Sequence, residues 1–206
     1  MNQRNYQREL EQIIADCVSK SRVPRLLLHS CCAPCSSYVL EYLSRYFSIT
    51  VFYYNPNIYP PREYGKRVQE QKRLVEALPV IHPLTLQEGT YEPDRFFDLA
   101  RGYEQMPEGG ERCLRCFRLR LEEAAKAARD GAYDYFTTTL TISPLKNAAK
   151  LNEIGEEAGA LYGVKHLPSD FKKKNGYKRS IELSREYDLY RQNYCGCIYS
   201  QKTITS

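Results

Sequence analysis

Apolar positions along the chain follow two rhythms in turn, short uninterrupted runs and longer stretches spaced at three and four, which predicts strands alternating with helices. Leu10, Ile13, Ile14, Cys17 and Val18 recur at helical spacing between Tyr6 and Lys20, so an amphipathic helix is expected over about residues 5–20, with Cys17 an inert thiol on its apolar side. The run Arg25 to His29, bounded by Pro24, reads as a strand. From Pro34 to Phe47 the spacing turns helical, with Pro34 suited to a first turn. A second strand, Ile49 to Tyr54, ends at Asn55-Pro56-Asn57. A helix over Pro61 to Ala77 and a short strand over Val80 to Leu84 follow, the latter between Pro79 and Pro83. Helices are expected near Asp94 to Arg101 and from Arg112 to Arg129, the second stopped by Asp130-Gly131. Tyr133 to Thr139 and Val164 to Leu167 complete the strands, with a helix over Asn147 to Leu161 between them.

About five strands alternating with helices predict the α/β class, a Rossmann-like parallel sheet with flanking helices and ligands gathered at the carboxyl ends of its strands. The reading is of a single α/β domain over 1–206. Its segment from about 168 to 206, dense in Lys, Arg and Tyr, must fold back to be useful.

Composition changes this picture in two ways. The net charge of +5, from 30 basic and 25 acidic residues, is too mild to establish a nucleic-acid partner. No run approaches the roughly 18 apolar residues of a membrane span, and the first residues lack the apolar core of a signal peptide, so a cytoplasmic protein with no membrane partner is expected. In that reducing compartment the eight cysteines point to metal or redox chemistry rather than structural bridges.

Three segments carry the thiols. His29-Ser30-Cys31-Cys32-Ala33-Pro34-Cys35 sets three of them at a strand-to-helix turn, where unpaired backbone N–H groups favour thiolates. Arg112-Cys113-Leu114-Arg115-Cys116 supplies sulfurs one helical turn apart. Two separated Cys-x-x-Cys pairs, of which Cys32 with Cys35 is the first by spacing, signal a four-sulfur site. Cys195-Gly196-Cys197 differs, because a disulfide between residues so close departs from relaxed geometry and is easily reduced, which suits a redox couple. Zinc would use the same four-sulfur geometry. With Cys17 set aside, however, seven thiols remain where a closed tetrahedral site needs four.

Taken together, Leu27-Leu28-His29-Ser30-Cys31-Cys32-Ala33-Pro34-Cys35-Ser36, Tyr54-Asn55-Pro56-Asn57-Ile58, Arg112-Cys113-Leu114-Arg115-Cys116-Phe117-Arg118-Leu119-Arg120-Leu121, Thr137 to Lys146, Ser169-Asp170-Phe171-Lys172-Lys173 and Leu189 to Cys197 closely resemble the cobalamin-independent epoxyqueuosine reductases, the QueH family. The resemblance runs from about Arg25 to Ser200. It implies reduction of the epoxide of epoxyqueuosine in a tRNA anticodon loop to queuosine, by an enzyme with a 4Fe-4S cluster on Cys31, Cys32, Cys113 and Cys116. It further implies Cys195 and Cys197 as a redox-active pair, and it leaves room for one additional iron ion beside the cluster, with Cys35 as a ligand. Spacing and resemblance thus differ over whether Cys31 or Cys35 completes the cluster.

The implied partners are a tRNA carrying epoxyqueuosine at the wobble position and an external one-electron donor such as a ferredoxin or flavodoxin. Lys172, Lys173 and Arg191 are expected to bind substrate, with Arg62, Arg67, Lys174, Lys178 and Arg179 as further phosphate contacts and Tyr54, Tyr59 or Tyr177 stacking on bases. Asp170, His29 and Tyr194 are the candidate proton donors. Two other classes use the same residues: a zinc module that binds RNA, and an ATP-dependent enzyme akin to those that thiolate tRNA. The second lacks any Gly-rich phosphate loop.

Overall fold

A computed structural model describes residues 4–203, the last three by their backbone alone, so 1–3 and 204–206 of the expected span lie outside the described residues. Five parallel strands, β1 (Arg25–His29), β2 (Ser48–Tyr53), β3 (Leu84–Glu88), β4 (Tyr135–Thr138) and β5 (Lys165–His166), lie in the order β3-β2-β1-β4-β5. The helices are α1 (Tyr6–Ser19), α2 (Ala33–Leu43), α3 (Pro61–Ala77), α4 (Pro93–Ala100), α5 (Glu111–Asp130), α6 (Ala148–Tyr162) and α7 (Gly176–Glu186).

β1 is apolar on both faces because both are covered. Leu26 and Leu28 pack with Val39 and Leu40 of α2 and Leu10 of α1, while Leu27 faces Ala124, Ala125 and Ala128 of α5. All three leucines are fully buried, each contributing roughly 2 kcal/mol of apolar burial. The alanine face of α5 brings that helix close to the sheet. It thereby carries the polar N-terminal half of α5 toward the carboxyl ends of the strands.

Strand order reverses between β1, which pairs β2 on one side, and β4 on the other. Chains diverging from that point leave a crevice at the carboxyl ends, and here the first cysteine turn lies in it. The turn leaves His29, and the Cys31 N–H donates to Thr139 Oγ1, just past β4, at 3.2 Å.

Most expected elements form within two or three residues of their predicted bounds, and four readings are corrected. β3 lies at Leu84–Glu88, not Val80 to Leu84. Pro79 and Pro83 remove donors from the earlier run, and the pairing with β2 begins at Ile49 opposite Leu84, so Val80 and Ile81 stay exposed. Val18 is exposed at the end of α1 rather than on its apolar face. β5 is two residues long instead of four. The presumed tail contains a full helix, α7, which packs on α2.

Candidate metal and redox centre

The backbone of the first turn is fixed before any thiol is considered. Ser30 Oγ and Ser36 Oγ lie 2.6 Å apart, and both reach Gln71 Oε1 of α3, which locks the start of α2 against that helix. Cys32 takes the N-cap position and Pro34 the first turn. Cys31, Cys32 and Cys35 therefore turn their sulfurs to one point, all within 4.8 Å of one another, with Cys31 and Cys32 3.8 Å apart.

Electrostatics divides these three. Hydrogen bonds from the Cys32 and Cys35 thiols hold Cys31 well below the usual thiol range, helped by Lys146 and Arg120. The same bonds push Cys35 well up, and Cys32 rises to about 12, chiefly by donating to Cys31. Burial raises Cys113, Cys197 and Cys116, the last to about 12. An all-thiol donor set with one sulfur already favouring the thiolate suits a soft metal or an iron–sulfur cluster, whose binding would release the remaining protons.

α5 brings the second pair. Cys116 is buried with Cys197 in one apolar cluster, while Cys113 and Cys31 pack against another formed by Phe117, Leu121 and Leu140. Cys113 Sγ accepts from the Gly109 N–H at 3.3 Å. One turn further, Arg120 is 1% exposed; its Nη2 donates to Asn55 Oδ1 at 2.5 Å and its Nε to His29 Nε2 at 3.3 Å. The same Nε2 lies 3.2 Å from the Tyr54 carbonyl, and Nδ1 lies 2.8 Å from Thr138 Oγ1. Burial and the Arg120 charge lower His29 to about 3, so it is neutral and fully buried. It brackets Arg120 and is not a ready proton donor.

A cavity of about 490 Å³ opens beside the turn, lined by Cys31, Cys32, Cys35, Arg120, Lys146 and Cys195 among others. Burial works against the Lys146 ammonium, yet the sulfurs of Cys195, Cys31 and Cys35 hold its pKa above the usual lysine value. Sequence reading quoted Asn55, Arg120 and Lys146 within motifs without giving them roles. Asn55 follows the end of β2 and Arg120 lies one turn from Cys116, whereas Lys146 carries no such local mark.

The Cys195 segment is held by α3. Glu63 accepts from Tyr190 Oη, Arg67 Nη1 donates to the Cys195 carbonyl at 3.2 Å, and Glu70 accepts from the Tyr190 N–H at 2.7 Å. Gly196, at φ +107°, accepts from the Tyr59 N–H at 3.0 Å. Cys195 lines the cavity, Cys197 is buried with Phe96 and Cys116, and neither is bonded to another cysteine.

Several expected substrate contacts move. Arg191 and Tyr177 do line the cavity, with Tyr194. Lys172 and Lys173 line an adjoining pocket of about 360 Å³, with Asp170, Arg4 and Asn147, and Lys146 is the wall the two spaces share. Asp170 is paired with Lys172 at 2.7 Å, outside the main cavity. Arg67 is not a surface phosphate contact: it is buried and paired with Glu63 at 2.7 Å. Arg179 is committed to Glu41 and Glu186, Lys174 to Glu11, and Tyr54 is buried. Cys17 is a buried thiol, as expected. No helix is long and apolar enough to cross a membrane among the described residues.

Comparison with known proteins identifies the family. A family model described as epoxyqueuosine reductase QueH matches residues 26–203. The chain is 45% identical over 200 residues to the epoxyqueuosine reductase QueH of Staphylococcus epidermidis, covering 95% of this chain and 84% of the relative. The Streptococcus pyogenes protein of that name is also 45% identical, over 96% of this chain and 78% of its own. The Thermotoga maritima one is 35% identical, over 85% and 89%.

Proposed function

The chain belongs to the epoxyqueuosine reductase QueH family, and from that premise we propose that it reduces the epoxide of epoxyqueuosine at the wobble position of a tRNA to queuosine. The observation that carries this is the gathering of Cys31, Cys32 and Cys35 within 4.8 Å on the wall of a cavity that also presents Cys195 and Lys146. The whole of 1–206 acts as one α/β domain whose basic segment returns to that wall.

Cys31, Cys32, Cys113 and Cys116 would hold a 4Fe-4S cluster, with Cys35 left for an additional iron; the sulfur spacing in the turn is equally compatible with Cys35 in place of Cys31. When bound, the cluster supplies one-electron transfer. Opening an epoxide to an alkene takes two electrons and two protons and releases water. The Cys195 and Cys197 thiols together carry both, giving them up as one disulfide forms. An external one-electron donor such as a ferredoxin or flavodoxin then restores the dithiol in two deliveries.

Lys146 lies on the cavity wall as a charged donor, suited to hydrogen-bond the epoxide oxygen as negative charge develops there. Arg191 and Tyr177 border the mouth, and Lys172 and Lys173 offer phosphate contacts next door.

The test is anaerobic purification with iron and sulfide analysis, followed by mass spectrometry of an epoxyqueuosine-bearing anticodon stem-loop. About four iron and four sulfide per chain, with a fifth iron where the additional ion is bound, and loss of one oxygen from the wobble base are expected. Stoichiometric zinc without sulfide would favour the RNA-binding zinc module instead.

A further inference from the structure

Among the described residues, seven buried side-chain polar atoms lack a hydrogen-bond partner. Three of them, Asn57 Oδ1, Arg67 Nη2 and Gln192 Oε1, belong to residues lining the one cavity that holds the thiol turn. Leaving such an atom unpaired forfeits the hydrogen bond it had in water, and three together in one cavity call for an explanation. Asn57 is 1% exposed and the Arg67 side chain 2%, so neither is satisfied by bulk water.

Their chemistry is mixed. Two carbonyl oxygens can only accept, and one guanidinium N–H can only donate. A bare phosphate would satisfy the donor and repel the acceptors; an ammonium would do the reverse. A hydroxyl group both donates and accepts, and a pair of neighbouring hydroxyls can meet all three atoms.

Position supports this reading. Asn57 follows the carboxyl end of β2, and Arg67 reaches from α3 to the Cys195 carbonyl. Gln192 lies three residues before Cys195, on a stretch without helix or strand, so its amide can turn toward an arriving ligand with little backbone change. The three atoms therefore belong to the side of the cavity where Cys195 stands.

We propose that Asn57, Arg67 and Gln192 form a subsite that reads the hydroxyl groups of the substrate's oxygenated five-membered ring, holding its epoxide against Cys195 and Lys146. This rests on the reductase reading and goes beyond it by assigning the groups that recognise the ring.

The experiment compares two stem-loop RNAs on the cluster-loaded protein without reductant. One bears the epoxide ring; the other carries the same deazapurine with only its aminomethyl arm. The wild type should prefer the ring-bearing RNA. Gln192→Leu should reduce that preference about tenfold while leaving affinity for the ringless RNA and the visible spectrum unchanged, and Gln192→Glu, which keeps an acceptor, should restore most of it. Asn57→Asp, retaining an acceptor in a buried position, should keep the preference where Asn57→Leu loses it. Equal weakening of both RNAs, or an unchanged preference in Gln192→Leu and Asn57→Leu, overturns the subsite. A wild type that shows no preference at all overturns the placement of the ring in this cavity, whereas the reductase reading stands or falls on loss of oxygen from the wobble base.

Discussion

Two cysteine segments meet at one cavity and are built on opposite principles. The Cys31–Cys35 turn is fixed by its own neighbourhood: β1 runs into it, α2 starts within it, and Ser30 and Ser36 tie both to Gln71. The Cys195–Cys197 segment has no helix or strand and is positioned by α3 from a distance, through Glu63, Arg67 and Glu70. Preorganised ligands favour tight retention of a metal group, whereas a dithiol that opens and closes needs room to move. On the proposed function, rigidity lies where a cluster would be held and latitude where a dithiol would open and close.

The sharpest way to break the comparison is to remove one thiol from each region. Cys32→Ala should lose iron, sulfide and turnover together, while Cys197→Ser should keep iron and sulfide and lose turnover alone, as read by metal analysis and product mass. Loss of the metals from both variants would mean that the tail thiols are ligands too.

Arg67→Ala should come next, costing about 3 kcal/mol in denaturant unfolding because it strips a buried ion-pair partner from Glu63. Turnover should fall with it, yet bound iron should stay. Gly196→Ala should cost about 2 kcal/mol, since φ +107° disfavours a side chain and the added carbon would lie 2.8 Å from Arg67 Nη1. Its damage should again fall on turnover rather than on iron content.

The smallest effect per step is acid sensitivity of the rigid region. His29 is neutral in the fold down to about pH 3 but protonates near 6.5 when unfolded. Its stabilisation is therefore present in full above pH 6.5 and declines by about 1.4 kcal/mol per pH unit as the pH falls from there toward 3. Unfolding titrations of the wild type and His29→Asn should differ in slope across pH 6.5 to 5, and parallel curves would refute the assignment.

Much of the site was legible in the chain. The strand-to-helix turn with three thiols and the second Cys-x-x-Cys on α5 were found by pattern, because their geometry is local and follows from helix and strand periodicity. α7 was missed because Gly176–Glu186 contains few apolar residues; its helix forms by packing on α2, where a side chain in place of Gly176 would collide with Phe171 and Tyr38. Lys172 and Lys173 were read as substrate contacts from charge, and charge cannot say that they open onto the neighbouring pocket.

Arg67 marks the boundary most clearly. In sequence it is one of 30 basic residues; in the fold it is buried, paired with Glu63 and bonded to the Cys195 carbonyl 128 positions away. By itself the sequence determined the alternation of strands and helices, the parallel sheet and the cysteine turn at its carboxyl edge, since each depends on residues near in the chain. Only the tertiary structure decided which thiols share a cavity, which cations are buried beside them and which polar atoms remain unpaired, because those depend on where distant segments of the chain come to rest.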